Sequence, residues 1–422
     1  MPAMKLTGEQ QAILDGARGP LAAEHMRLLI EWGEAFAAAR LVPVQSVMAN
    51  GLSVPNRTLG DVPYELIEGY IEYCRRCLEL PVAVPTVAQV GCLDLRRAEQ
   101  HQSDMRQVPA QRELLQMGTR AGVAMAWTCA PYLIGYVPLK GQVCAWTESH
   151  AVVLLNSVLG ARTTRHGNES AIAAAVTGWT PEFGVLLDEN RSARVAVRVE
   201  VELRHDTDWG ALGFFAGRLC GLHIPAFAGV PPPQLEAARQ LAAALATSGG
   251  APMFHIAGVT PEAPTLEAAL HGQLPEKTVP FGLSDLAGVY DELTTLSGEE
   301  VDFVYFGCPH ATLQELLELA LGLRSRRVHP NVLLLVSTSY ATEMQARRLG
   351  IAQEIEAAGG QFMTDTCPTN ALWPKPQRMV TPNVKNCVYS RNLLGCEVAL
   401  ASPAECVETA VIGRHHRAAS CE

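Results

Sequence analysis

Three cysteines sit in closely similar surroundings: Cys129 in Trp127-Thr128-Cys129-Ala130-Pro131, Cys308 in Phe306-Gly307-Cys308-Pro309-His310, and Cys367 in Asp365-Thr366-Cys367-Pro368. Each follows an apolar, strand-like run and has a proline within two residues. Thiolates are the usual ligands of iron–sulfur clusters, and three of them converging on one point suit a cluster with one iron left without a cysteine. Such an open iron is a Lewis acid able to take a hydroxyl or carboxylate, which is what elimination of water from a hydroxy acid requires. The prolines delay helix initiation and leave each loop free to wrap a cluster. The competing reading is three buried small hydrophobes, the commonest fate of a free cysteine.

The remaining cysteines, of twelve in 422 residues, carry weaker signals. Cys74-Arg75-Arg76-Cys77 has redox spacing but lies in a predicted helix without a βαβ neighbourhood, so no redox or zinc role is expected. Cys387, Cys396, Cys406 and Cys421 show no repeated spacing and read as structural or surface thiols. With 33 Lys+Arg against 43 Asp+Glu, the chain has a formal net charge of −10 and no long basic run. That argues against phosphate-neutralising nucleic-acid partners and against a polybasic membrane anchor. No apolar stretch reaches the roughly 18 residues of a membrane span, and Met1-Pro2-Ala3-Met4-Lys5 lacks an apolar signal core. The expectation is a soluble, cytoplasmic protein whose thiols stay reduced.

Bringing distant cysteine loops together is a task for a parallel sheet, because open α/β sheets build their sites outside the carboxyl ends of their strands. The last third of the chain has that pattern: Val301 to Phe306 as strand, Ala311 to Leu323 as helix, Asn331 to Ser337 as strand, Tyr340 to Ala358 as helix, Gln361 to Thr364 as strand. Right-handed crossovers place these strands parallel in one sheet, with Cys308 and Cys367 just beyond two of them. Upstream, Gly8 to Leu14 predicts a helix capped by Thr7, and Leu21 to Ala39 a second helix. Leu41 to Val44 reads as a short buried strand, and Tyr64 to Leu80 as a helix after a loop marked by Pro55, Asn56, Gly60 and Asp61. From Ser192 to Leu203, valines alternate with Ala196, Arg198, Glu200 and Glu202, which predicts a strand with one solvent face. The Ala-rich run Leu235 to Ala246 reads as a surface helix, flanked by Gly/Pro-rich margins at Gly229 to Pro233 and Ser248 to Pro252.

Five ordered stretches resemble the large, catalytic subunit of aconitase X, a branch of the aconitase superfamily. They are Thr128-Cys129-Ala130-Pro131-Tyr132-Leu133, Asn156-Ser157-Val158-Leu159-Gly160-Ala161-Arg162-Thr163, Asp188-Glu189-Asn190-Arg191, Gly307-Cys308-Pro309-His310 and Asp365-Thr366-Cys367-Pro368. Met4-Lys5-Leu6-Thr7, Ala12-Ile13-Leu14-Asp15-Gly16 and Leu59-Gly60-Asp61 join them, so the similarity runs from about Met4 to Gly413. The resemblance implies an α/β, aconitase-like, multi-domain architecture, with parallel βαβ units around a central cluster site and no swivel domain. The organisation expected is a catalytic region over 1–290, with an inserted β-containing portion at about 192–260, followed by a C-terminal α/β subdomain over 291–422 carrying two cluster cysteines. It further implies that Cys129, Cys308 and Cys367 hold a four-iron or two-iron cluster, that the enzyme is a hydro-lyase, and that a small swivel-domain subunit completes the active site with a serine.

Substrate contacts implied by the resemblance fall on Gly51, Leu52 and Ser53, on Gln89 and Val90, on Ser149 and His150, and on Lys385. Gln89-Val90 and His150 depart from the family pattern, which has Asn-Pro and then Ser-Ser or Ser-Asn at those places. Retained cluster residues with altered pocket residues suggest retained chemistry on a shifted substrate. Ser149, His150 and Lys385 are the expected catalytic group: His150 to bind a carboxylate or move a proton, Lys385 to pair with an anionic substrate group. Asn156, Ser157 and Arg162 are expected to contact substrate, Arg162 as an anion anchor alongside Thr163 and Arg165. For Asp188-Glu189-Asn190-Arg191 a structural role is favoured. The substrate expected is a small anionic hydroxy acid, cis-3-hydroxy-L-proline ahead of mevalonate 5-phosphate. The alternative from another class is a cluster-binding homologue that has lost catalysis. No Ser-His-Asp order, phosphate loop or His-Glu-x-x-His element supports a hydrolase, nucleotide-binding or zincin reading.

Overall fold

Helix starts follow the chemistry of their first residues. Thr7 accepts from the Gln10 backbone N–H while the Gln10 side chain accepts from the Thr7 N–H, and this reciprocal cap opens the Gly8–Leu14 helix. Pro20 begins the next, Pro20–Ala35, where its missing N–H costs nothing. The computed structural model describes residues 4–54, 64–371 and 376–415. The expected loop at Pro55 to Asp61 and Cys421 lie outside these residues.

Three parallel sheets make the frame. The first has the order Val123–Ala124, Thr86–Ala88, Ser46–Ala49, Cys144–Trp146. The second has Lys277–Phe281, Val195–Val199, Pro225–Ala228, His255–Ile256. The third has five strands, Gln361–Met363, Leu333–Ser337, Phe303–Phe306, Arg378–Thr381 and Glu397–Leu400. The expected βαβαβ unit is its first three strands. Leu41–Pro43 instead pairs antiparallel with Trp179–Pro181, in a separate ribbon.

Three expectations need correction. Val195–Val199 has no solvent face: Ala196 is buried along with the valines, and only Arg198 is exposed. It runs between two parallel neighbours, and parallel sheets are covered on both faces. The Ala-rich helix, Leu235–Ser248, is central, with every residue from Ala237 to Ala246 buried. Its small side chains let it lie closely against the Asp206–Cys220 helix, where a Cβ on Gly213 would meet the Leu241 carbonyl at 2.4 Å. The helix expected from Tyr340 to Ala358 is two, Tyr340–Arg348 and Ile351–Ala358, broken at Gly350 with φ of +80°. Among the described residues no helix is long and apolar enough to cross a membrane.

His166 is buried against the Trp32 ring, 4.7 Å between centroids, with Thr180 Oγ1 at 3.2 Å from Nε2. Burial pushes its pKa down to about 3. The unfolded chain, with a histidine near 6.5, therefore takes up a proton that the folded state refuses as pH falls below 6.5, and stability drops through that window. His166→Gln is expected to lose about 2 kcal/mol less than the parent between pH 7 and pH 5 in urea unfolding. Parallel pH dependence in the two proteins would contradict this.

Candidate active site

The three singled-out cysteines line one cavity of about 670 Å³, each on a loop beyond a strand end. Cys308 follows Phe303–Phe306, Cys367 follows Gln361–Met363, and Cys129 follows Val123–Ala124. Gly307 has φ of +112°, and a Cβ there would meet the Ser337 carbonyl at 2.1 Å, so only glycine lets the Cys308 loop run this close to the adjacent strand. Asn383 Oδ1 accepts from the backbone N–H groups of Gly307 and Cys308, both at 3.3 Å. The Cys308–Pro309 peptide is cis.

His310 ties the three loops together. Its backbone N–H donates to Cys129 Sγ at 3.2 Å, and its Nε2 donates to the Thr366 carbonyl, beside Cys367, at 3.1 Å. Nδ1 is then the acceptor for Thr128 Oγ1 at 3.2 Å. The ring is fully buried, which pushes its pKa down to about 4 and keeps it neutral at pH 7.

The cysteines are free thiols. Burial pushes all three thiols up, Cys308 to about 12. Among the described residues no three His, Cys, Asp or Glu side chains could hold a single metal ion. A cluster asks something different, because each cysteine binds its own iron and the sulfurs stand further apart. Three thiols outside any disulfide, facing one cavity with the Lys385 ammonium nearby to favour their thiolate forms, fit that demand.

The same cavity carries a buried polar group centred on Glu148, just past the Cys144–Trp146 strand and at the start of the Ser149–Leu154 helix. Its Oε1 accepts from Lys385 Nζ at 2.6 Å, His150 Nδ1 at 3.1 Å and Ser149 Oγ at 3.2 Å; its Oε2 accepts from Gln89 Nε2. Lys385 Nζ also reaches Ser149 Oγ at 3.1 Å. Burial alone would raise the Glu148 pKa, but the Lys385 ammonium and the His150 hydrogen bond hold it well below the usual carboxylate range. Burial likewise works against the Lys385 charge, and Glu148 restores it, holding the ammonium above its ordinary value. Burial pushes His150 down to about 4, so the ring is neutral at pH 7.

The expected site residues divide. Gly51, Ser53, Gln89, Val90, Cys129, His150, Cys308, Cys367 and Lys385 line the cavity, and Ser149 is bonded to two of its side chains. Leu52 is buried beside it, its carbonyl accepting from Trp127 Nε1. Asn156, Ser157 and Arg162 do not line it. Asn156 bonds Thr163 and the Pro252 carbonyl, and Ser157 receives the Phe254 N–H. Arg162 holds the Leu186 carbonyl and Asp188. Arg191 is buried, binding Glu262 and three backbone carbonyls. Sequence reasoning passed over Glu148 as an actor and missed Cys92, a fourth thiol on the cavity, 3.8 Å from Ser53 Oγ. The one signal was Glu148 standing next to Ser149-His150 after a strand.

Comparison with known proteins matches residues 3–189 to the aconitase X first domain, 193–291 to the second domain and 301–412 to the third. The phosphomevalonate dehydratase large subunit of Methanothermobacter thermautotrophicus is 36% identical over 85% of this chain and 86% of its own length. The cis-3-hydroxy-L-proline dehydratase of Pseudomonas aeruginosa is 34% identical over 97% of this chain and 70% of its own. The holo-form crystal structure of Thermococcus kodakaraensis aconitase X superposes with a TM-score of 0.83 at 30% identity, over 96% of this chain and all of that one. This chain therefore belongs to the aconitase X family, whose named relatives are dehydratases.

Proposed function

We propose that the chain is the catalytic subunit of an iron–sulfur hydro-lyase acting on a small zwitterionic hydroxy acid, cis-3-hydroxy-L-proline first. The observation that carries this reading is the charge on the cavity wall. Among the described lining residues, Lys385 is the one cation and Glu148 the one carboxylate, and they are paired. A zwitterion complements such a pair: its carboxylate shares the Lys385 ammonium and its own ammonium turns to Glu148. A phosphate monoester that also carries a carboxylate brings several negative charges to a wall whose single positive charge is already neutralised. The altered residues stand at this same place, since Gln89 and His150 both hold Glu148.

Cys129, Cys308 and Cys367 are the residues that would hold the cluster. When bound, it supplies a Lewis-acidic iron that polarises the leaving hydroxyl. The chain's own residues do the rest. Lys385 and Glu148 fix the amino-acid end of the substrate. Gln89, with Thr147 Oγ1 at 2.6 Å from its Oε1, keeps Glu148 turned to the cavity. Ser53 lines the same cavity, its hydroxyl donating to the Val54 carbonyl at 3.0 Å. Removal of the proton next to the carboxylate falls to a base on a small swivel subunit, in keeping with relatives named as large subunits. The product is a pyrroline carboxylate.

The test is anaerobic co-expression with the small subunit, followed by side-by-side assay of cis-3-hydroxy-L-proline and mevalonate 5-phosphate. Hydroxyproline is expected to turn over at least about 100-fold faster in kcat/KM, the discrimination that unpaired charges in a buried site impose. Turnover of mevalonate 5-phosphate alone would overturn the substrate, and a loaded cluster with turnover of neither would favour the non-catalytic homologue.

A further inference from the structure

Among the described residues, the second domain, 193–291, contributes no side chain to the cavity wall. It nevertheless reaches the site through Arg239, a fully buried residue on the Leu235–Ser248 helix. All three guanidinium nitrogens are engaged. Nε donates to Tyr132 Oη at 3.0 Å, one terminal nitrogen donates to the His310 carbonyl at 2.6 Å, and the other to Glu315 Oε2 at 3.0 Å. Glu315 is itself held in place, accepting from the Thr312 N–H at 2.7 Å in the cap of the Leu313–Leu323 helix.

The direction of each bond along this path is fixed by chemistry. A guanidinium only donates and does not lose its proton in the working range. Tyr132 oxygen must therefore accept from Arg239, which leaves its own hydrogen for His150 Nε2 at 3.2 Å. Nε2 is then the lone-pair nitrogen, the ring hydrogen sits on Nδ1, and Nδ1 donates to Glu148 Oε1 at 3.1 Å. The opposite tautomer would set a lone pair against a carboxylate and an N–H against the Tyr132 hydroxyl hydrogen. The path crosses all three domains: Glu315 in the third, Arg239 in the second, Tyr132, His150 and Glu148 in the first, and Lys385 again in the third.

We propose that Arg239 is a positioning residue through which the second domain governs the active site, committing the Tyr132 hydroxyl to His150 Nε2 and so holding in place the ring that orients Glu148, while anchoring the Cys308 loop at the His310 carbonyl. For its kinetic consequence this rests on the hydro-lyase reading; for its structural consequence it does not. The domain with no residue in the cavity thus fixes the hydroxyl that holds the His150 ring against Glu148.

The experiment uses the anaerobically purified two-subunit enzyme with 15N-histidine labelling, the His150 signal being assigned by its loss in His150→Gln. The parent is expected to show a single tautomer protonated at Nδ1. Tyr132→Phe removes one hydroxyl and little else; Glu148 still requires the Nδ1–H tautomer, and the Nε2 signal is expected to move downfield by several ppm as its lone pair loses the Tyr132 donor. The substitution should also lower kcat by about tenfold, the scale of losing a partner that orients a site residue, with KM changed less than about twofold. Arg239→Lys keeps a buried cation without the planar fork, and is expected to shift the Nε2 signal in the same direction. A Tyr132→Phe or Arg239→Lys enzyme that keeps the parent's Nε2 shift and kcat would overturn the proposal. Were the complex to turn over neither substrate, the functional reading would fail while the Nε2 signal still decided this one.

Discussion

Cys308→Ser protein, purified anaerobically with the small subunit, is expected to lose its brown colour and most of its iron and sulfide, and to lose activity by at least about 100-fold. The magnitude exceeds the 10–100-fold typical of merely supporting residues around a metal, because a serine oxygen is a poor substitute for a thiolate on iron. Cys129→Ser and Cys367→Ser should behave alike, since all three thiols face one cavity and His310 couples their loops. Cys220→Ala, at the far end of the Asp206–Cys220 helix and outside the cavity wall, is the matched control and should keep its iron. Retention of full iron by Cys308→Ser would mean that the three cysteines are core packing, the competing reading from sequence. Folding does not confound the result, because near-ultraviolet circular dichroism reports packing independently of iron.

The cysteine loops were legible because their signal is local: an apolar run, a glycine or threonine, a cysteine and a proline. The first three strands of the third sheet were legible for the same reason, announced by their own apolar runs, whereas Arg378–Thr381 and Glu397–Leu400 were not read. What could not be read locally was burial on both sides of an element. Val195–Val199 looks half wet in sequence because Arg198 alternates with valines, yet Ala196, on the same face as Arg198, is buried. The Leu235–Ser248 helix carries Arg239 and Gln240, which in sequence mark a wet face, but Arg239 is compensated by Glu315, Tyr132 and the His310 carbonyl, all remote in the chain. Asn156, Ser157 and Arg162 illustrate the converse. A polar motif shared with a family was read as substrate contact, whereas their side chains satisfy backbone groups and a surface carboxylate. Glu148 stayed hidden because its meaning depends on Lys385, 237 positions away.

That pairing yields the second large effect. Lys385→Met leaves the Glu148 carboxylate buried without its counter-charge, and breaking a buried pair from one side typically costs about 3–5 kcal/mol. Glu148 still has His150, Ser149 and Gln89 as donors, so the protein should fold with a cost at the lower end of that range. Adding Glu148→Gln removes the stranded charge, and the double variant is expected to recover most of the loss in urea unfolding. Neither variant should turn over substrate, because both lack the cation that holds the substrate carboxylate. The separation of the two readouts is the point: stability returns when both charges go, activity does not. If Lys385→Met were as stable as the parent and the double variant no better, the pair would be solvated in the enzyme, and the charge complementarity argued for a zwitterionic substrate would lose its basis.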